Sequence, residues 1–481
     1  MTDVPVIPLL RFGEQYTSLE LSELRSPRDG RLLARVSQAN PGLLRRDLLT
    51  RASDAAAALR VHSTSDLIAL AKEAGRLFLE GDLPMYDGGP VQSPQDYVEL
   101  LSDTSGLPHE LCRANMRKVF TVFDEMPTIL AGLTRGMDLS VIDSGVGEHG
   151  GVPVSYAPTT DTLGVVLPSN SPGVNSIWIP SLPLKIPVVL KPGREEPWTT
   201  LRIIRAFLAA GFPPEAFGFY PTSHEGAGAI LDLCGRSQLF GDAKTTAPWQ
   251  NDPRVEVHGP GWSKVVIGED LIDSFEEHLD VLVSSVIDNG GRSCINASAI
   301  VVPRRGAEVA EAISRRVAEI DPLPAADPGA RLSAFANPRV AEWIDSTIDT
   351  GLAEGDAEDV TARHRAAPRT STLEGATYLR PVIVRCDRKD HALANTEFMF
   401  PFSSVVEVPQ AEMLDWIGHS LVVTALTRDP EFTRELLACS HIDRLNLGPV
   451  PTSRVDWDQP HEGNLFETLY VRRAIRHVSA W

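Results

Sequence analysis

Between residues 163 and 240 short apolar runs alternate with amphipathic stretches. Leu163-Gly164-Val165-Val166-Leu167, Val188-Val189-Leu190, Phe217-Gly218-Phe219-Tyr220 and Gln238-Leu239-Phe240 read as buried strands. Between them, Leu201, Ile204 and Leu208 recur at helical spacing, with Pro197 at a first helical position and Gly211 before Pro213-Pro214 as a stop. Residues 227–234 read as a second helix. Strands alternating with helices predict a parallel sheet whose ligands lie at the strand ends. The second half repeats the theme. Leu271, Phe275, Leu279, Leu282 and Ile287 form a helical stripe, and Ala299-Ile300-Val301-Val302 reads as a strand. A helix over 307–320, strands over 380–384 and 421–426 and a helix over 429–440 follow. Residues 255–267 link the halves, and 327–330 and 351–370 read as surface connections.

The first 60 residues read as an arm with a strand over 32–36 and a helix over 45–59. A clearer helix follows, capped by Thr64 or Ser65, striped by Leu67, Leu70, Ala74 and Phe78 and ended by Gly81. After a loop over 82–94, residues 97–137 read as largely helical with a break at 103–108. Leu139-Ser140-Val141-Ile142 and Val152-Pro153-Val154-Ser155-Tyr156 alternate about 145–151 and predict a hairpin. Such a ribbon either lies on its own domain or offers its edge to a second subunit. The tail over 464–481 reads as a terminal strand.

At 481 residues the chain exceeds one core, so two or three domains are expected. A formal net charge of −19 argues against nucleic acid or an anionic membrane as partner. Cys112, Cys234, Cys294, Cys386 and Cys439 lack metal-ligand spacing, and an odd, sparse set suits a reducing compartment. Met1-Thr2-Asp3-Val4-Pro5 carries no basic or apolar signal segment, and prolines and polar residues interrupt the most apolar stretch, 163–190. A cytoplasmic protein is expected.

One segment carries chemistry. Asp288-Asn289-Gly290-Gly291-Arg292-Ser293-Cys294 seats a thiol just past two glycines, between the helical stripe and a strand. Glycines let other backbone approach, and free N–H groups there can lower a thiol pKa and bind an oxyanion. On this segment alone a buried structural cysteine is equally consistent. No Gly-x-Gly-x-x-Gly fingerprint follows any strand.

Six short motifs in order from about 160 to 450 decide the matter. They are Asn170-Ser171-Pro172; Val189-Leu190-Lys191-Pro192-Gly193; Ala210-Gly211-Phe212-Pro213; Phe240-Gly241-Asp242; Gly291-Arg292-Ser293-Cys294; and Glu397-Phe398-Met399-Phe400-Pro401. Together they resemble the aldehyde dehydrogenase superfamily. The resemblance implies an α/β fold of two parallel-sheet, Rossmann-like domains plus a small β oligomerisation hairpin. It divides the chain into a cofactor-binding domain (1–137 and 161–258), a catalytic cysteine domain (259–445), and a hairpin with C-terminal strand (138–160 and 464–481). It implies Cys294 as nucleophile and the Asn170 amide as half of an oxyanion hole. It puts a nicotinamide dinucleotide on Pro168, Lys191, Arg194, Gly241 and Asp242, with Glu397 at the nicotinamide ribose. The hairpin around Gly145 and the tail from Asn464 together suggest a homodimer or homotetramer.

Two departures from the family pattern refine this. Most acid-forming members carry a water-activating glutamate in Glu-Leu-Gly-Gly-Lys-Ser; gapless alignment on Gly261-Trp262-Ser263 puts His258 there, with Glu256 two residues earlier on the same side of a strand. Lacking a carboxylate, the acyl-enzyme would pass to coenzyme A, as in the CoA-acylating branch. Ile442 to Gly448 and Val455-Asp456-Trp457-Asp458 also resemble the acyl-CoA reductases related to the luciferase fatty acid reductase. The reading is therefore an NAD(P)-dependent acyl-CoA reductase. One alternative is a non-acylating aldehyde oxidiser using Glu256 or His258. Another is an inactive scaffold, which Arg292 for Gln and Asp242 for Ser leave open. His258 could equally be a satisfied structural histidine. Arg194 would pair with a 2′-phosphate and favour NADP(H) over NAD(H), or else faces solvent beside Glu195 and Glu196. The substrate funnel is expected near 116–123 and the loop before His461.

Overall fold

In a computed structural model, residues 4–476 are described. Two seven-stranded sheets organise the chain. In the first, Leu163–Val166 is central. It pairs in parallel with Val188–Lys191 on one side and Arg236–Phe240 on the other. Phe217–Phe219 and Val255–His258 extend it in parallel, while Leu9–Arg11 and Glu14–Tyr16 add an antiparallel edge. Every residue of Leu163–Val166 is buried, as continuous apolar runs require when helices cover both faces.

The second sheet has Lys264–Ile267 between Ala299–Val302 and Ser420–Leu426, all parallel. Phe402–Glu407, Val382–Cys386 and Ile442–Leu447 extend it in parallel, and Ala357–Asp359 closes one edge antiparallel. The fold is the expected α/β arrangement, with the segment after 255 supplying one strand to each sheet.

Several elements differ from expectation. Ser63, not Thr64 or Ser65, caps Thr64–Glu80, its side chain accepting from Asp66 N–H. Residues 139–144 are not a hairpin strand: Ser140–Ser144 is a short helix ended by Gly145 at φ 73°. The ribbon is Val146–His149 against Val152–Pro158, reversed at Gly150-Gly151, both with positive φ. Two such glycines match the right-handed twist of a tight hairpin. The tail opens as the helix Leu465–Leu469. Only Tyr470–Arg473 is a strand, antiparallel to Val152–Pro158, and 477–481 lie outside the described residues. Residues 351–370 are not all connection, for Pro338–Ala353 is a helix and Ala357–Asp359 a sheet strand. Among the described residues no helix is long and apolar enough to cross a membrane, and all five cysteines are free.

Candidate functional site

The cysteine loop lies between the helix Leu279–Ile287 and the strand Ala299–Val302. Asn289, Gly290 and Gly291 have φ of 53°, 65° and 67°. A Cβ at Gly291 would lie 2.3 Å from the Pro401 nitrogen, so only glycine lets the loop meet the 397–401 turn. Asn289 bears the left-handed strain because both ends of its amide are held. Its Oδ1 accepts from Asn115 at 2.7 Å and its Nδ2 donates to Ser293 at 2.8 Å. Asn296 ties the loop back through Ser293 N–H and the Ser285 and Asp288 carbonyls. From the other side Ser263 donates to the Cys294 carbonyl at 2.8 Å. The thiol is mounted rigidly.

The Cys294 side chain packs on Ile295, Leu421 and Val422. Burial, then the carboxylates of Glu462 and Glu397, push its thiol far above the usual range; Lys118 acts the other way. Burial in turn holds the Lys118 ammonium down to about 8. Asn170 reaches the same loop: its amide donates to the Arg292 carbonyl at 3.0 Å and points its Nδ2 at Met399 Sδ, 3.6 Å away. Its Oδ1 is sealed without a partner.

His258 ends the strand Val255–His258 and is buried. Its ring stacks on Phe240 at 4.2 Å. Nδ1 bonds to Glu462, and Nε2, 3.8 Å from Glu256, has no hydrogen-bond partner. Burial alone would lower the His258 pKa; Glu462 and then Glu256 outweigh it, and the net shift is upward. Burial also raises Glu256, against the pull of His258. Glu462 was not anticipated. It sits in a loop without regular structure, and the nearest signal is Gly463, where a Cβ would come within 2.5 Å of Glu256. Next to it His461 accepts from Arg444 at 3.0 Å.

Glu397 turns its carboxylate onto the backbone, accepting from Trp262 N–H at 2.6 Å and Gly261 N–H at 3.3 Å. Burial raises it to about 7 despite those bonds. Lys264 is fully buried beside it and is lowered by burial to about 7, its ammonium donating to the Trp262 carbonyl at 2.5 Å.

At the carboxyl ends of the first sheet lies a cleft of about 1050 Å³. Pro168, Lys191, Arg194 and Gly241 line it, with the start of the helix His224–Leu233. Asp242 does not line it. Its carboxylate caps the helix Ala243–Thr246, accepting from Thr245 N–H at 2.8 Å. Glu397 is not on its wall either. A Cβ at Gly193 would come within 2.4 Å of the Pro168 carbonyl, so this glycine lets the two strand-end turns meet. The cleft's position, size, basic residues and helix N-terminus fit a dinucleotide. A small cavity of about 40 Å³ joins Trp457, Gln459, His461 and Glu462 to Ile129 and Ile177. Of the expected funnel region 116–123, Met116 and Phe123 are buried in the core, while Lys118 stands over the Trp457 ring and acts on Cys294.

Comparison with known proteins gives a consistent picture. A model described as "Aldehyde dehydrogenase family" matches residues 92–418. An aminoacetaldehyde dehydrogenase of Pseudomonas aeruginosa is 27% identical over 265 residues, 50% of this chain and 49% of that protein. The match thus spans about half the length of that curated relative. Among solved structures, the NAD+ complex of an aldehyde dehydrogenase from Bacillus cereus superposes with a TM-score of 0.78 at 16% identity, covering 98% of this chain and 97% of that one. An Escherichia coli NADP-dependent enzyme superposes at 0.77 and 14% identity over 99% of both chains. At these identities the structural likeness carries the fold.

Proposed function

The chain belongs to the aldehyde dehydrogenase family, and from that premise we propose that it oxidises an aldehyde to a carboxylic acid through an acyl-enzyme on Cys294. A nicotinamide dinucleotide bound in the 1050 Å³ cleft supplies the hydride acceptor. The Cys294 thiol releases its proton to solvent as its sulfur adds to the aldehyde carbon. The carbonyl oxygen becomes an oxyanion held by the Asn170 amide, which gives up its weak contact to Met399 sulfur. One such fixed donor contributes roughly 3 kcal/mol to the transition state. Loss of hydride from that carbon leaves a thioester on Cys294. Water then attacks the thioester carbon and gives up a proton to Glu462, and the carbon–sulfur bond breaks to release acid and thiol. The single observation carrying the hydrolytic reading is Glu462, a carboxylate whose charge acts on the Cys294 thiol and which His258 holds in place.

A second reading, transfer of the acyl group to coenzyme A or the reverse reduction, rests on His258 at the glutamate position. The two separate in one assay. Enzyme, an aldehyde panel and NAD+ or NADP+ are mixed with and without coenzyme A, and acid and thioester are measured by mass spectrometry. We expect acid at full rate without coenzyme A. Cofactor reduction that waits for coenzyme A and yields thioester would replace the hydrolytic reading with the acylating one. Arg194 at the cleft rim supports NADP+ as the better substrate, which the same panel reads.

A further inference from the structure

Lys118, on the helix His109–Asp124, is half-buried. Its stem passes Gly173, three residues after Asn170, where a Cβ would lie 3.4 Å from Lys118 Cδ. Its ammonium stands 6.0 Å from the centre of the Trp457 ring, and among the described residues it makes no hydrogen bond and no ion pair. The charges it feels are those of Cys294 and Arg444, and no carboxylate is among them. Arg444, on the strand Ile442–Leu447, also has no ion pair among the described residues. It donates to His461 at 3.0 Å and to the Arg454 carbonyl at 3.2 Å. Asp456, the acid it feels, accepts instead from Arg454 at 2.9 Å. His461 stays neutral, held down by burial and then by Arg444 and Lys118. Its ring lies 6.2 Å from that of Trp457, and both line the 40 Å³ cavity. The carboxylates of the chamber, by contrast, are matched, Glu462 by His258 and Glu397 by two backbone N–H groups.

Two cations withdrawn from water without a counter-ion are costly to hold. An anion that reaches both removes that cost, because it sets charge-assisted contacts against their mutual repulsion. The same pair repels an ammonium, and an uncharged group leaves it unanswered. We propose that the substrate of the Cys294 site is a short aldehyde whose far end carries an anionic group, a carboxylate or a phosphate monoester, held by Lys118 and Arg444. The aldehyde end lies at Cys294 and Asn170, and the anionic end on the side of Trp457. Lys118 and Arg444 choose the substrate and take no part in bond making. The inference rests on the proposed oxidation at Cys294 and adds the substrate class to it.

The test measures kcat/KM of the full chain, by nicotinamide reduction, for 4-oxobutanoate, glyceraldehyde 3-phosphate, butanal and 3-aminopropanal. One charged contact predicts an anionic aldehyde preferred to butanal by about tenfold or more, with 3-aminopropanal below butanal. Whether 4-oxobutanoate or glyceraldehyde 3-phosphate leads identifies the anion. Lys118→Met keeps an apolar stem beside Trp457, and in it the ratio of the preferred anionic aldehyde to butanal should fall about tenfold, through KM. Taking the ratio cancels any effect of Lys118 on the thiol, which both aldehydes share. Lys118→Arg should keep most of the ratio, a rescue that a purely structural role does not predict. Equal kcat/KM for anionic and neutral aldehydes in the wild type overturns the proposal, and so does an unchanged ratio in Lys118→Met. Should Lys118→Met not fold, Lys118→Gln is read in the same way, and the wild-type ratio needs no variant. A chain that oxidises no aldehyde sinks the proposed function. Calorimetric titration with 4-oxobutanoate and butanal then reads the site alone, and tighter binding of the anion that Lys118→Met abolishes leaves it standing.

Discussion

The large cleft and the thiol chamber are built in opposite ways. The cleft is large and open, and turns following consecutive strands of one sheet form much of its wall. Its shape comes from backbone, as the Gly193 contact with the Pro168 carbonyl illustrates. The chamber around Cys294 is partly buried and made of side chains from four distant segments. Lys118, His258, Lys264, Glu397 and Glu462 converge there, and Lys118, Lys264 and Glu397 are shifted toward neutrality by burial. A backbone-built cleft tolerates exchange of its side chains. A chamber of buried ionisable groups does not, because burial already works against their charges and removing one takes a partner from its neighbours.

The largest test of this contrast is Cys294→Ala. It removes the proposed acyl carrier while leaving every cleft residue in place. Turnover should fall by roughly 10⁴-fold or more, while dinucleotide affinity, read by fluorescence titration, stays within about threefold of wild type. A variant that keeps most of its activity refutes the nucleophile assignment. One that loses cofactor affinity in parallel shows that cleft and chamber are not separable.

Legibility in the sequence follows the same division. Alternating apolar runs revealed both sheets, because a parallel strand covered on both faces must be apolar throughout. The strand-end motifs located Pro168, Lys191 and Gly241 on the cleft for the same reason, since their place depends on local backbone. The helix Pro338–Ala353 escaped notice because Trp343, 60% exposed, breaks its apolar stripe of Ala341, Ile344 and Ile348. Glu462 was illegible in a stronger sense. Beyond the adjacent Gly463 nothing local marks it, and it reaches His258, 204 positions away in sequence, because the loop after Trp457 lies beside Gln238 and Glu256 of the first sheet. The contacts of Asp242 and Glu397 with backbone N–H groups were hidden likewise, since a motif match does not reveal what a carboxylate turns toward.

Glu462→Gln sharpens the comparison from the chamber side. The amide keeps the shape and can still bond His258, but cannot take a proton from water. Thioester breakdown should slow about 10²-fold or more, while the first turnover keeps its rate. A rapid burst of reduced nicotinamide followed by a slow steady state is the expected trace, with acylated Cys294 seen by intact-protein mass spectrometry. Equal loss in burst and steady state would place Glu462 in thiol activation instead. Loss of neither would return water activation to Glu256 or His258.

The smallest effect concerns stability and discriminates most finely. Glu397 has a folded pKa of about 7 against an ordinary value of 4.5. Below 4.5 both folded and unfolded chains hold the proton and the group contributes nothing. Between 4.5 and 7 the folded chain keeps a proton that the unfolded chain has released, so stability falls as pH rises, by roughly 3 kcal/mol in total. Above 7 the penalty is complete and the slope ends. Lys264 acts in a higher window. Burial lowers it from 10.5 to about 7, so its contribution rises with pH only between those values. In Glu397→Gln the decline between pH 4.5 and 7 should therefore flatten in denaturant titrations, while the rise above 7 persists. An unchanged decline would mean that the two N–H groups of Gly261 and Trp262 outweigh burial and keep the carboxylate ionised, leaving the chamber more like the polar cleft than its crowding implies.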